Sequence, residues 1–206
     1  MANYIFDFDG TVADSLPAAL KVFNAWVRNR EPVGDEELEH LKNLSATQIM
    51  KELGVPKWRV PSLIVKGRRE MSKHLKEVPV FDGIKDVLDK ISVPENKLFI
   101  VSSNGNRNIK RFLSDNDLDK YFKKIYADIG ILGKASALKK VVRDNNLAKP
   151  ETYYIGDEAR DVIAAKKNGL HSVAVTWGYN GTKILESQNP EKLVSSSKEL
   201  IRALSN

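Results

Sequence analysis

The chain has 206 residues, 42% hydrophobic and 29% charged, which predicts a globular protein of one domain or of one domain with an insertion. The absence of cysteine excludes disulfides and thiol nucleophiles and favours a reducing compartment, which we expect to be the cytoplasm. The formal charge of +6 suits an anionic ligand, but the cations are scattered and not interleaved with aromatic residues, so we expect no nucleic-acid partner.

The N-terminus has no basic leader followed by a long apolar run, so we expect no secretory signal. No stretch of the chain approaches the ~18 consecutive apolar residues of a membrane helix, so we expect no membrane span. The chain is therefore expected to fold in water.

The first predicted element is a short buried β-strand that ends in two carboxylates. Tyr4-Ile5-Phe6 forms the strand, and Asp7 and Asp9 follow it two positions apart. Because side chains alternate along a strand, Asp7 and Asp9 are expected to face one site, with Gly10 allowing a sharp turn after them. The same Asp-x-Asp-Gly pattern also occurs in ordinary turns without a function, because Asp and Gly are favoured there. Two carboxylates this close require a cation or a shared proton, and this requirement is the functional interpretation of the pair.

Residues 15–81 predict an all-helical block, because they show helical spacing of apolar residues and no strand signal. Three helices are expected there: one over about residues 14–28, one opened by a Ser45–Gln48 capping box and ending near Gly54, and one with Ile64, Met71 and Leu75 on a single face. This purely helical pattern differs from the pattern of the rest of the chain.

Residues 82–206 alternate between strand and helix signals. Strands are expected at 98–101, 124–127, 152–155 and 172–175, and helices over 84–91, 106–113, around 138–142, over 162–167 and after a Ser196–Glu199 cap. Such alternation predicts an α/β fold with a doubly wound, Rossmann-like parallel sheet, which also contains the first strand. The expected division is therefore a core formed by residues 1–14 and 82–206, with the helical block of residues 15–81 inserted after the first strand.

The chemistry is expected at the carboxyl ends of the strands, where open parallel sheets bind their ligands. The ends carry Ser102 and Ser103, Lys134 at a helix start, and Gly156-Asp157 followed by Asp161. Taken singly, the serines could form a helix-leading turn and Lys134 could be a solvated surface charge. Together, carboxylates without neighbouring His or Cys favour magnesium, and a carboxylate can act as a covalent nucleophile, so the set suits phosphoryl transfer.

These residues resemble a known family. Asp7-Phe8-Asp9-Gly10-Thr11, Ser102, Lys134 and Gly156-Asp157 with Asp161 look like the four motifs of the haloacid dehalogenase-like hydrolases, in the same order. The helical insertion after the first motif is similar to the small helical cap of the phosphoglycolate phosphatase and β-phosphoglucomutase branch. Asp9 also bears on the reaction, since the dehalogenases of the family lack an acid there, which disfavours carbon–halogen cleavage.

The resemblance implies a role for each matching residue. Asp7 would become the aspartyl-phosphate, Asp9 would serve as general acid and base, and Ser102, Ser103 and Lys134 would hold the phosphoryl oxygens. Mg²⁺ would be bound by Asp7, by the backbone carbonyl of Asp9 and by Asp157, with Asp161 as a direct or supporting ligand.

The function expected from both lines of reasoning is a magnesium-dependent phosphatase, similar to phosphoglycolate phosphatase, acting on a small phosphorylated metabolite as a monomer or homodimer. A sugar phosphomutase of the same branch and a catalytically idle binding protein on the same fold remain alternatives. In the cap, Lys66, Arg69, Lys73 and Lys76 are expected on a solvated helix face, and Arg68 is the better candidate for contact with the substrate.

Overall fold

The computed structural model describes residues 1–26, 31–52, 54–55, 58, 60–130 and 133–205. The strands are β1 (Asn3–Phe6), β2 (Lys97–Val101), β3 (Lys124–Tyr126), β4 (Thr152–Gly156), β5 (His171–Val175) and β6 (Lys192–Val194). The helices are α1 (Leu16–Trp26), α2 (Asp35–Lys42), α3 (Ala46–Glu52), α4 (Val60–His74), α5 (Ile84–Ile91), α6 (Asn106–Asp115), α7 (Lys134–Asp144), α8 (Ala159–Asn168), α9 (Thr182–Ser187) and α10 (Ser197–Ser205). None of these helices combines the length and apolarity that a bilayer crossing requires.

All six strands form one parallel sheet in the order β3-β2-β1-β4-β5-β6. The strand order reverses direction between β1 and β4, which creates a crevice at the carboxyl ends of these two strands. The predicted α/β fold with a doubly wound parallel sheet is therefore confirmed. The backbone N–H of Asp7 donates to the Ile155 carbonyl at 2.8 Å, so the pairing of β1 with β4 continues to the first candidate carboxylate.

The apolar core lies on both faces of the sheet, which explains the continuous apolar runs of the central strands. Tyr4 and Phe6 of β1 pack into the cluster that includes residues of α5 and α6, whereas Ile5 packs into the opposite cluster with residues of α7 and α8. Since neighbouring side chains of β1 pack into different clusters, both halves of the core fix the position of the strand that precedes Asp7.

After β1 the chain leaves the sheet to form the helices of residues 15–81, and it returns to the sheet layer before α5. The two connecting segments run antiparallel beside each other: Ala13 pairs with Val80, and the Asp14 N–H donates to the Pro79 carbonyl at 2.9 Å. The Ser45–Gln48 capping box is present, since the Gln48 N–H donates to Ser45 Oγ at 3.3 Å and the Ser45 N–H to Gln48 Oε1 at 2.9 Å. Helices are found in the described residues of 15–81, as predicted, and Val80 adds a single β-bridge there.

Three elements were not predicted from the sequence: α2, α9 and β6. Five of the eight residues of α2 are charged and its only buried side chain is that of Leu41, so it has almost no apolar stripe. Helix α9 and strand β6 have only six and three residues, too few for a periodic signal. Their formation depends on packing against the finished sheet.

His171, at the start of β5, joins the two segments that flank it in space. One ring nitrogen lies 2.6 Å from Glu191 Oε2 and the other lies 2.8 Å from the Pro150 carbonyl oxygen, so both nitrogens donate when the ring is protonated. Burial lowers the pKa of His171, but the hydrogen bonds to Glu191 and Pro150 outweigh burial and leave the pKa above its ordinary value.

This raised pKa predicts how stability depends on pH. The protonated ring stabilises the folded state fully below the unfolded pKa of about 6.5, and this contribution is lost as the pH rises through the higher folded pKa. We expect the difference in unfolding free energy between the wild type and His171→Gln to be largest near about pH 5.5 and to shrink towards about pH 9. Urea unfolding of both proteins measures it, and a difference independent of pH would contradict the assignment.

Candidate active site

Three buried charged side chains from separate elements meet at the carboxyl edge of the sheet. Asp7 follows β1, Lys134 is the first residue of α7, and Asp161 lies in the first turn of α8. The Lys134 ammonium donates to both Asp7 and Asp161, and these three side chains are at most 4% exposed. Buried charges are tolerated only when paired, so this ion-pair triad fixes the relative position of the three elements.

Tyr154 completes the environment of Asp161. Its buried hydroxyl donates to Asp161 Oδ1 at 3.0 Å, while Asp161 Oδ2 accepts the Glu158 N–H at 3.0 Å within the capping box of α8. Asp161 therefore holds Lys134 and the start of α8 at once. Tyr154 was not among the candidate residues, although a tyrosine in a buried strand is itself a signal, since its hydroxyl needs a partner.

Asp157 is completely buried between two backbone segments. Its Oδ1 accepts the Thr11 hydroxyl at 2.8 Å, and its Oδ2 accepts the Tyr179 N–H at 2.7 Å. A Cβ at Gly10 or Gly178 would lie 2.1 or 2.3 Å from Asp157 Oδ2, so only glycine leaves room for the carboxylate at both positions. Gly10 also has φ +76°, which favours glycine independently.

Asn104 connects two further candidate residues. Its side-chain amide lies 3.2 and 3.1 Å from the two carboxylate oxygens of Asp9, and its backbone N–H donates to Ser102 Oγ at 3.0 Å. Ser103 is half-buried, and the hydrogen bonds of the described residues include none between its side chain and the carboxylates. Asn104 was not singled out from the sequence, although it follows the two serines at the end of β2.

Burial changes the acidity of the carboxylates. It raises the pKa of Asp7 to about 7, despite the opposing effect of Lys134, and it raises the pKa of Asp9 despite hydrogen bonds from Ser15 and Asn104. Burial, together with the negative charges of neighbouring carboxylates, raises the pKa of Asp157 well above its usual range. Burial is the first cause of each of these three shifts.

The pKa of Lys134 moves in the opposite sense to that expected of a buried amine. Burial lowers this pKa, but Asp161 and Asp7 outweigh burial and raise it above the ordinary value. Lys134 therefore stays protonated at neutral pH and can neutralise an anionic group that enters the site.

The carboxylates form a donor set that suits a divalent cation. Among the described residues, ligand oxygens of Asp7, Glu158 and Asp161 lie within 4.8 Å of one another. Only oxygen donors are present in this group, which fits a hard ion such as Mg²⁺. Glu158 was not a predicted ligand, although it stands next to Asp157 in the sequence. Asp157 lies outside this group, and its two oxygens accept hydrogen bonds from the Thr11 hydroxyl and the Tyr179 N–H.

Asn180 joins the helical insertion to the acidic end of α8. Its Oδ1 accepts the Ala159 N–H at 2.8 Å and its Nδ2 donates to the Lys42 carbonyl at 3.2 Å, while the Gly181 N–H donates to the same carbonyl at 2.8 Å. The end of α2 is thereby held against the segment that also bonds Asp157.

Replacing Asn180 with Asp keeps the acceptor for Ala159 but places a carboxylate oxygen against the Lys42 carbonyl. We expect the free energy of unfolding to fall by about 1–3 kcal/mol, because an acceptor then faces an acceptor in a buried place. Denaturant unfolding measures it, with Asn189→Asp as the exposed control. Equal stability of the two variants would contradict the proposed importance of this contact.

Comparison with known proteins identifies the family. A sequence model described as "Haloacid dehalogenase-like hydrolase" matches residues 4–175, which include every candidate residue above. The chain belongs to this family. The resemblance seen in the four motifs is therefore confirmed, and the site at the carboxyl ends of β1 and β4 is the candidate active site of a haloacid dehalogenase-like hydrolase.

Two relatives of this chain are named phosphoglycolate phosphatases. A phosphoglycolate phosphatase from Synechococcus elongatus is 33% identical over 206 residues, which cover 99% of this chain and 97% of that protein. A phosphoglycolate phosphatase from Pseudomonas savastanoi pv. phaseolicola is 25% identical, covering 96% and 77%. The crystal structure of a predicted phosphatase from Clostridium acetobutylicum has the same fold, with a TM-score of 0.80, 24% identity, and coverage of 99% and 98%.

Family membership and the full-length relative confirm the predicted activity class: this haloacid dehalogenase-like hydrolase is a phosphatase.

Proposed function

We propose that the chain hydrolyses a small phosphate monoester through a covalent intermediate on Asp7. A carboxylate oxygen of Asp7 attacks phosphorus, the bond from phosphorus to the ester oxygen breaks, and Asp9 protonates the leaving alkoxide. Asp9 then takes a proton from water, which attacks the phosphorus and releases phosphate and the Asp7 carboxylate. The observation that carries this proposal is the buried Asp7 carboxylate, oriented by Lys134 at the reversal point of the sheet.

The environment of Asp9 supports its role in proton transfer. An acid in a phosphatase must be protonated for part of the cycle near neutral pH, and burial raises the pKa of Asp9 towards that range. Asn104 orients both carboxylate oxygens of Asp9. Asp7 and Asp9 thus have different partners, which suits two different roles.

Lys134, Ser102 and Ser103 are proposed to bind the phosphoryl oxygens. Lys134 is protonated and can neutralise the charge that spreads over these oxygens in the transition state. Ser102 is buried at the end of β2 and is linked to Asp9 through Asn104. Ser103 follows it in sequence and is a proposed ligand on that ground alone.

We propose that Mg²⁺ is the cofactor. Asp7, the backbone carbonyl of Asp9, Asp157 and Asp161 are the proposed ligands, and the grouping of Glu158 with Asp7 and Asp161 adds a further candidate. When bound, the ion would polarise the phosphoryl group and offset the negative charge of the approaching ester. The excess of buried carboxylates over cations supports such an ion.

The proposed ligands can be distinguished by magnesium binding. We expect Asp157→Asn to raise the Mg²⁺ concentration for half-maximal binding by about tenfold or more, because it removes a buried negative charge. Glu158→Gln should produce a shift of similar size if Glu158 is a ligand. Calorimetric titration and the Mg²⁺-dependent rise in melting temperature measure both effects. An unchanged titration in either variant would remove that residue from the ligand set.

We propose that residues 15–81 form the cap, and residues 1–14 and 82–206 the catalytic core. The side chain of Arg68, the candidate for substrate contact, lies outside the described residues. The neighbouring cations support a solvated face, since Lys66 and Arg69 are exposed and Lys73 pairs with Glu70 at 2.8 Å. The remaining parts of the proposal are a cytoplasmic location, no nucleic-acid partner, and a monomer or homodimer.

The test is phosphate release from a panel of esters that includes phosphoglycolate, which the names of the relatives put first, sugar phosphates, nucleotides and a chromogenic aryl phosphate. Magnesium-dependent release that EDTA abolishes would support the proposal. No release from any ester by the folded protein would overturn it and would favour a phosphomutase, which interconversion of sugar phosphate isomers with an added bisphosphate would reveal.

A further inference from the structure

A cavity of about 200 Å³ lies between helices α1, α2 and α3 and the loops at the carboxyl edge of the sheet. Most of its wall is apolar, formed by Leu16, Leu20, Phe23, Val33, Leu38 and Ile49. Each of these six side chains is only half-buried, so the helices leave a shared apolar surface uncovered. An apolar surface that remains open at the centre of a packed region favours an apolar occupant.

The cavity adjoins the candidate active site. Glu158 lines the cavity and also belongs to the carboxylate group with Asp7 and Asp161. Tyr179 lines the cavity as well, while its backbone N–H donates to Asp157 and its hydroxyl lies 3.1 Å from Ser15 Oγ. A phosphate ester bound at Asp7 would therefore have the cavity beside it, on the side of the helical insertion.

The polar groups of the cavity do not favour a second anion. Lys42 is the cation among its described lining residues, and it already has Glu39 at 3.6 Å. Glu158, which lines the same wall, is paired with Arg160 and adds a negative charge that disfavours an anion. A sugar would also be disfavoured, because most of its hydroxyl groups would lose water against the apolar part of the wall.

The size of the cavity sets the size of the occupant. An apolar cavity of about 150 Å³ accommodates benzene, so the present one can hold a butyl or phenyl group. A carboxymethyl group, as in phosphoglycolate, would leave much of it empty.

We propose that this cavity receives the alcohol part of the substrate and selects phosphate monoesters with an apolar alkyl or aryl group of about four to six carbons. The inference rests on the proposed phosphatase activity and adds the chemical class of the leaving group. Phosphoryl transfer occurs at Asp7, and the apolar wall supplies binding that increases with the buried length of the alcohol.

The first test is the series of ethyl, propyl and butyl phosphate, which have leaving groups of nearly equal quality. We expect kcat/KM to rise about fourfold for each added methylene. Glycerol phosphate, which matches propyl phosphate in carbon number but carries hydroxyls, should be the poorer substrate of the two, and phosphoglycolate should be poorer than butyl phosphate. Butylphosphonate should likewise inhibit at lower concentration than ethylphosphonate.

A substitution in α1 tests the cavity directly. Ala19 lines the cavity, and Ala19→Leu would fill part of it. We expect this variant to lower kcat/KM for butyl phosphate about tenfold while changing that for methyl phosphate little. Ala25→Leu makes the same change on the exposed side of the helix and should leave both values unchanged.

The outcomes separate the two proposals. Three outcomes would overturn the cavity assignment and leave the phosphatase proposal standing. They are equally fast hydrolysis along the alkyl series, a preference for glycerol phosphate or phosphoglycolate, and an Ala19→Leu effect that is equal for methyl and butyl phosphate. Failure to hydrolyse any ester, methyl and aryl phosphates included, would overturn the phosphatase proposal and this inference with it.

Discussion

Replacing Asp7 with asparagine is expected to lower kcat on the order of 10⁴-fold or more, because it removes the proposed nucleophile while preserving its shape. The amide is not nucleophilic, and Asp161, the other carboxylate paired with Lys134, is already bound by the Tyr154 hydroxyl and the Glu158 N–H. We expect the fold to persist, since Lys134 keeps its ion pair with Asp161. Single-turnover and steady-state phosphate release measure the loss, and the melting temperature checks the fold.

The control is Asp86→Asn, the same change at an exposed position of α5. It should retain full activity and the wild-type melting temperature. If Asp7→Asn retained more than about a tenth of the wild-type kcat, Asp7 would not be the nucleophile. Trapping of a phosphorylated protein after an acid quench in the wild type, absent in Asp7→Asn, would identify the intermediate.

Replacing Lys134 with methionine is expected to affect both activity and stability. The variant leaves Asp7 and Asp161 buried without their shared cation, which costs about 3–5 kcal/mol of unfolding free energy when one partner of a buried pair is removed. It also removes the ammonium proposed to neutralise the phosphoryl oxygens, so we expect kcat to fall about 10²-fold or more.

The matched control is Lys139→Met, on the exposed face of the same helix α7. A double-mutant cycle with Asp7→Asn separates the charge pair from general loss of packing: the second substitution should cost less stability in the Lys134→Met background than in the wild type. Additive costs, or a stable Lys134→Met variant, would show that the ion-pair triad does not hold the site together. Urea unfolding supplies these free energies.

Local sequence patterns are enough to predict the fold class and the place of the site. The apolar run before Asp7, the Gly10 turn and the alternation of strand and helix signals from residue 82 onward depend on neighbouring residues alone, and they identified a parallel α/β fold. Because parallel strands present their carboxyl ends at one edge of a sheet, the sequence also predicts that Asp7, Lys134, Asp157 and Asp161 share one site. The described structure brings Asp7, Lys134 and Asp161 into direct contact.

What the tertiary structure decided depends on contacts between distant segments. The order β3-β2-β1-β4-β5-β6 places β4 beside β1, which the spacing of apolar residues does not encode. Helix α2 lacks an apolar stripe, and its end is held by Asn180 and Gly181, about 140 positions away. Orientation of single side chains is decided in the same way.

Such orientation is what separates the candidate roles. Only the folded structure assigns Tyr154 and Asn104 to the site. Each has a buried polar group that needs a partner, and the partners, Asp161 and Asp9, lie on other elements. Asp157 turns towards Thr11 and Tyr179, and Glu158 joins Asp7 and Asp161 instead. The sequence by itself determined which chemical groups reach the site, because local patterns place them at strand ends. Only tertiary packing decided which of these groups touch, because hydrogen bonding and burial depend on neighbours that are remote in the chain.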